Sequence, residues 1–238
     1  MTQHVTLSVT GEVATVRLSR PDAGNRLTNA MAAALGDALD ASRARRLIVL
    51  RGDGNDFCIG RDMQAPPPGS RVSPADVVRE DTGPMLELFD RFRRCPQPVI
   101  AVIQGRAWGI GTVFAGLCDI TYATPDASFR LAELERGIPP AIAMSALLDR
   151  MPMKTLGHLV YSTEAIDAAS ALAAGLISRV CAADEIEGAL DALVQRLLAF
   201  APDTVNAVKS YLANAPRNDH ARSALLGSSV LANVLASR

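Results

Sequence analysis

Apolar and polar residues alternate along residues 4–9 (HVTLSV) and again along 12–18 (EVATVRL), with Gly11 between them. A period of two sends successive side chains to opposite faces, so the pair predicts a hairpin at a sheet edge. The period then changes. Residues 28–42 (TNAMAAALGDALDAS) carry apolar positions at helical spacing, with Thr28 placed to cap the first turn. Leu47 to Leu50 is a short apolar run that ends in RGDGNDFCIG, the pattern of a buried strand followed by a tight loop. Residues 64–82 hold Pro66, Pro67, Pro68, Gly69 and Pro74 and read as a loop, mobile or ordered by a ligand. A helix over 84–94 leads through Pro96 and Pro98 to the strand VIAVI at 99–103. The loop QGRAWGIG follows and opens a helix from Ile110 to about Leu117, and DITYAT at 119–124 reads as a further strand. Strands thus alternate with helices over 47–124, which predicts β/α units with parallel pairing.

Beyond Pro140 the apolar spacing is helical: 142–150, 153–161, 165–174, 184–199, 203–214 and a last stretch near 219–236. No low-complexity linker or internal repeat divides the chain. The expected organisation is an αβ core over 1–141 followed by a helical region over 142–238.

Composition narrows the picture. Of 238 residues, 49% are hydrophobic and 4% aromatic, enough for a large aliphatic core. Lys+Arg number 24 against 25 Asp+Glu, a formal charge of -1, which gives no reason to expect nucleic acid or an anionic membrane as partner. Cys58, Cys95, Cys118 and Cys181 lie far apart with no C-x-x-C pair, so reduced thiols and no metal centre are expected. The opening MTQHVTLSVTGEV has neither a basic nor an apolar signal-peptide region, and no apolar stretch reaches the ~20 residues of a membrane span, so a cytoplasmic protein is expected.

Two loops could carry chemistry, because each presents backbone amides just after a strand. One is Phe57-Cys58-Ile59-Gly60-Arg61-Asp62 and the other Gly105-Arg106-Ala107-Trp108-Gly109-Ile110-Gly111. Glycine lets backbone approach closely, and the N-terminal amides of a following helix suit a developing anion. In order and context these segments resemble the crotonase (enoyl-CoA hydratase/isomerase) superfamily. Arg20 through Leu27 (RPDAGNRL) is similar to that family's early CoA-site segment, and Phe57 through Met63 to its first oxyanion loop. Pro98 to Val102, Gly105 to Gly111 and Cys118-Asp119-Ile120 are similar to its second. Phe129 through Pro140 (FRLAELERGIPP) resembles its catalytic segment and Ala168 through Val180 the turn beyond it.

The resemblance implies an α/β fold, a crotonase-like spiral of β-β-α units, with a C-terminal helical region that completes the site and makes oligomer contacts in a homotrimer or dimer of trimers. It implies an acyl-CoA substrate, no cofactor apart from the coenzyme A of that substrate, and a thioester enolate as intermediate. The oxyanion hole would be the backbone N–H groups of Arg61 and Ile110. Arg26, Gly60, Asp62, Met63 and Gly109 would contact the substrate or its CoA, although Asp62 could as well brace its own loop. Arg26 and Arg61 could meet CoA phosphates or water. Trp108 would be pocket wall. Lys209 could reach a CoA phosphate or lie on the surface, and the acyl pocket would be lined by residues 64–90 and the final helices. Family hydratases use two glutamates. Here the first position is Val113, and the second is retained as Glu133, with Glu135 as competitor. Valine can neither hold water nor carry a proton, so the inventory favours a one-carboxylate reaction, double-bond isomerisation first. Other crotonase-type reactions (thioester hydrolysis, carbon–carbon cleavage) and a non-catalytic acyl-CoA-binding protein stay open.

Overall fold

The computed structural model describes residues 4–63, 73–214 and 220–236. Strands β1 (Val5–Thr10) and β2 (Val13–Leu18) pair antiparallel across a turn at Gly11. Helix α1 (Asn29–Ala41) starts where the spacing predicts, with Thr28 Oγ1 accepting from Met31 N at 3.1 Å. Strands β3 (Leu47–Gly52), β4 (Val99–Ile103), β6 (Ile120–Ala123) and β9 (Arg179–Val180) complete a six-stranded sheet in the order β1-β2-β3-β4-β6-β9. Every pairing after the first is parallel, and β1 lies at an edge.

A parallel sheet needs both faces covered, and the register shows how. Ile48 and Leu50 of β3, with Val99, Ala101 and Ile103 of β4, face a core formed with α1, α3 (Gly83–Arg94) and α4 (Ile110–Leu117). The intervening residues Leu47, Val49, Ile100 and Val102 face a second cluster with Ile186, Leu190 and Val194 of α8 (Ile186–Ala199). This double burial is why these strands read as continuous apolar runs. All four cysteines are free and buried, and Cys58 is pushed up to about 12 by burial.

A smaller sheet of β5 (Arg106–Trp108), β7 (Ser128–Arg130) and β8 (Ile166–Asp167) stands beside the first. With two or three residues each, these strands and β9 are too short to show a period. The C-terminal half holds α5 (Ala141–Leu147), α6 (Met153–Ser162), α7 (Ala168–Ala173), α8, α9 (Pro202–Asn214) and α10 (His220–Ala236). Since β9 belongs to the main sheet and β8 to the small one, this half is not wholly helical.

Two further expectations change. Residues 64–72 of the proposed loop lie outside the described residues, but 74–82 is helical. Ser73 and Asp76 form a capping box, Pro74 occupies the first turn of α2 (Pro74–Val77), and a π turn, Val78–Thr82, runs into α3. The proline that reads as a breaker is a helix start. Lys209 is 6% exposed, not a surface or phosphate-seeking residue. Its Nζ sits 2.8 Å from Asp119 Oδ2 and donates to the Gln97 carbonyl at 2.8 Å, which fastens α9 to the start of β4. No described helix is long and apolar enough to cross a membrane.

Candidate active site

Main-chain bonds knit the two loops together. Cys58 N donates to Arg106 O (3.1 Å), Trp108 N donates to Cys58 O (2.9 Å), and Phe57 N donates to Gln104 O (3.0 Å). Contact is so close that a Cβ on Gly111 would lie 2.2 Å from Cys58 O. No side chain fits there, which accounts for that glycine.

The first loop is held from its other side by residues 20–27. Asn25, buried with φ 54°, donates from Nδ2 to the carbonyls of Asp53 and Asp56, both at 2.8 Å, and accepts from Arg20 N at 2.8 Å. Leu27 and Arg61 form a parallel bridge in which Leu27 N donates to Gly60 O and Asp62 N to Leu27 O, each at 2.9 Å. In such a bridge the residue opposite uses neither of its own backbone groups on the partner, so the Arg61 amide faces away from Leu27. On the second loop, Gly109 takes φ 54° and ψ -116°, and its N donates to Arg130 O at 2.7 Å. Ile110 follows as the first residue of α4, where an amide has no intrahelical acceptor.

A pocket of about 590 Å³ opens between these loops. It gathers Arg26, Gly60, Arg61, Met63, Gly109, Ile110 and Glu133. Asp62 is not among its lining residues; its Oδ2 accepts from Arg20 Nη1 at 2.5 Å and so ties the loop to residues 20–27. Trp108 is wall, its indole N–H on Ser128 Oγ at 3.1 Å and its ring flanked by Arg106 and Arg130 at 5.3 and 5.4 Å. Opposite the loops, Met85 and Phe89 of α3, Val113 of α4 and the stretch 138–143 supply apolar surface. The final helices contribute none of the described lining. They pack away from it, where Arg46 also donates to the Leu198 carbonyl at 2.8 Å at the end of α8.

Glu133 begins a 3₁₀ turn (Glu133–Arg136) that follows β7. Its Oε2 is sealed from solvent without a hydrogen-bond partner, and a Cβ on Gly109 would lie 3.5 Å from Oε1. Burial raises its pKa from the ordinary glutamate value, with its own backbone N–H and then the Arg136 charge opposing in part. Glu135 is engaged elsewhere: it accepts from Arg130 Nη2 and, at 3.0 Å, from Thr163 Oγ1. Sequence reasoning left the two glutamates open; Arg130, five residues upstream, is the partner that separates them. Val113 is fully buried on a helix buried along its whole length. The Arg61 guanidinium, left between CoA and water by the sequence, instead donates to Asp81 Oδ1 (2.5 Å) and Asn29 Oδ1 (2.8 Å). Among the described residues, no three His, Cys, Asp or Glu side chains come together as metal ligands would.

Residues 8–236 match the sequence profile described as enoyl-CoA hydratase/isomerase. The chain belongs to that family. Among its relatives, the (E)-benzylidenesuccinyl-CoA hydratase of Thauera aromatica is 32% identical over 223 residues, 86% of this chain and 80% of the relative. The 2,3-dehydroadipyl-CoA hydratase of Escherichia coli (strain K12) is 33% identical over 202 residues, 82% of this chain and 76% of the relative. The family member of Thermobifida fusca YX solved in complex with acetoacetyl-CoA superposes with a TM-score of 0.88 at 31% identity, covering 99% of this chain and 96% of that one. As an enoyl-CoA hydratase/isomerase family enzyme, this chain has the crotonase fold that the sequence resemblance implied.

Proposed function

We propose that this enzyme moves a proton within an enoyl-CoA thioester, with Glu133 as its single acid/base. The observation that carries the reading is a half-buried glutamate with one oxygen, Oε2, sealed and without a partner, in a pocket whose second carboxylate position is Val113. The amides of Arg61 and Ile110 hold the thioester oxygen, a role that asks nothing of their side chains. Glu133 takes a proton from the carbon next to the thioester of a 3-enoyl chain. The C–H electron pair forms a dienolate whose charge rests on that oxygen. Glu133 then returns the proton two carbons along, and the double bond moves from C3–C4 to C2–C3. Losing one oxyanion donor typically costs ~3 kcal/mol of transition-state stabilisation. Glu133 is suited to the task because burial strengthens it as a base.

Protons alone move, so the reaction draws on no metal or redox cofactor, and activity should survive dialysis against chelator. Arg26 and Met63 receive the CoA end, together with Gly60 and Gly109. The exposed Leu225, Leu231 and Leu235 of α10 support a contact between subunits, in the trimer or dimer of trimers that the resemblance implies. The relatives' names favour a second reading, hydration, which Glu133 would have to perform on water unaided.

A panel of 2-enoyl- and 3-enoyl-CoAs tests both. Wild type should convert 3-enoyl to 2-enoyl esters faster than it hydrates 2-enoyl esters. Glu133→Gln should lose roughly 100- to 10,000-fold in turnover while still binding the ester, with a much smaller loss in Glu135→Gln. Faster hydration would replace isomerisation as the reading. Loss in Glu135→Gln but not Glu133→Gln would move the chemistry two residues along.

A further inference from the structure

Among the described residues, four arginines line the pocket: Arg26, Arg61, Arg130 and Arg136. Three carboxylates line it with them, Asp81, Glu133 and Glu135. Two of the arginines are already neutralised. Arg61 pairs with Asp81, and Arg130 pairs with Glu135, donates from Nε to Thr163 O at 2.6 Å and flanks Trp108. The guanidinium groups of Arg26 and Arg136 make no hydrogen bond or ion pair among the described residues. Arg26 follows the Asn25 anchor beside the first loop, the end of the pocket assigned above to CoA, and a CoA phosphate answers its charge. With CoA placed at Arg26, a plain enoyl chain offers Arg136 no partner.

The place of Arg136 is set by local geometry. In a 3₁₀ turn the side chains at i and i+3 eclipse, so Arg136 projects over the same face as Glu133, at the other end of Glu133–Arg136. Its charge reaches Glu133, yet Oε2 of that carboxylate has no partner. Arg136 is exposed at the pocket's lining, on the same turn as the base, with five donors that Glu133 does not consume. Its planar fork matches a carboxylate in two parallel hydrogen bonds, which water or a methyl group cannot do.

We infer that Arg136 selects acyl chains bearing a second carboxylate beyond the reacting carbons, so that the preferred substrate is the CoA monothioester of an unsaturated dicarboxylic acid. The inference rests on the thioester reading above. Arg136 acts as a specificity residue, and Arg130, occupied by Glu135, does not share the task.

The test is a matched pair of 3-enoyl-CoA esters of equal length, one ending in methyl and one in carboxylate, assayed with wild type, Arg136→Gln and Arg136→Lys. Wild type should favour the acid. In Arg136→Gln the ratio of kcat/KM values, acid over methyl, should fall roughly 10- to 100-fold, the span of a charged hydrogen-bonded pair. Arg136→Lys should keep part of the preference, as charge without a fork. No wild-type preference, or an equal fall for both esters in Arg136→Gln, overturns the inference and leaves Arg136 acting on Glu133 alone. Calorimetric binding of the two saturated analogues separates this from the reading beneath it. Preference for the acid that vanishes in Arg136→Gln supports Arg136 even if no enoyl ester turns over, and failure of wild type to bind either ester overturns both.

Discussion

A carboxylate with one oxygen shut away from water and unpartnered pays for its position in stability, and Glu133 is in that condition. Burial raises its pKa, so the folded state holds the proton to higher pH than the unfolded chain does. Stability therefore falls as pH rises from the ordinary glutamate value through the raised one, and the penalty is complete above it. Glu133→Gln removes the group that titrates. This variant, nearly inactive on the proposed mechanism, should melt higher than wild type near neutral pH, with the difference closing as the solution is acidified below the ordinary glutamate range. Melting curves across pH check this; a variant less stable at neutral pH would mean the carboxylate has a partner when charged. Glu135, held by Arg130 and Thr163, should show no such gain.

At the scale of elements, the π turn and α1 reach the first loop through one side chain. Arg61 donates to Asp81 in the turn and to Asn29 at the start of α1, and Asn29 Nδ2 in turn donates to the Glu80 carbonyl at 2.9 Å. Since the same residue is proposed to present its amide to the thioester oxygen, its side chain sets the aim of its backbone. Asp81→Asn should lower kcat by about 10- to 100-fold, the order expected of a misplaced reacting group, with a smaller change in KM. Asp81→Glu should restore part of it, and steady-state kinetics decide. A rise in KM alone would make Asp81 a binding residue. None of this linkage is legible in the chain. Asp81 and Asn29 stand 52 residues apart, and a charged residue in the proline-bearing stretch 64–82 reads as solvated loop. β3 and β4 were legible because double burial writes them as unbroken apolar runs, α1 because cap and spacing agree, and α4 from the glycine loop that opens it. The small sheet was not, since strands of three and two residues cannot show a period. Both loops could be picked out from their glycines, whereas the different surroundings of Glu133 and Glu135 show only with Arg130 in space.

Across the whole molecule, one buried ion pair joins the C-terminal helices to the central sheet. Asp119 Oδ2 accepts from Val99 N at 2.7 Å while pairing with Lys209. Removing one member of a buried pair strands the other, at a cost of about 3–5 kcal/mol. Lys209→Met should therefore lower the melting temperature by roughly 10 °C, taking about 2–4 °C per kcal/mol for a chain of this size. Ligand affinity at the pocket should change little, because α9 supplies none of its described lining. A wild-type melting temperature would place Lys209 in solvent. The backbone arrangement of the two loops has a further consequence. An amide hydrogen with no acceptor that faces an open pocket trades with deuterium in solvent faster than one held in a hydrogen bond. Cys58 and Trp108, bonded across the loops, should retain their hydrogens in deuterated buffer, while Arg61 and Ile110, a few residues away, lose theirs quickly. Adding a CoA thioester should slow those two and leave Cys58 and Trp108 as they were. Empty, the site would then appear to a spectrometer as two fast amides set in a slow frame, and occupancy would be read from the pair falling silent together.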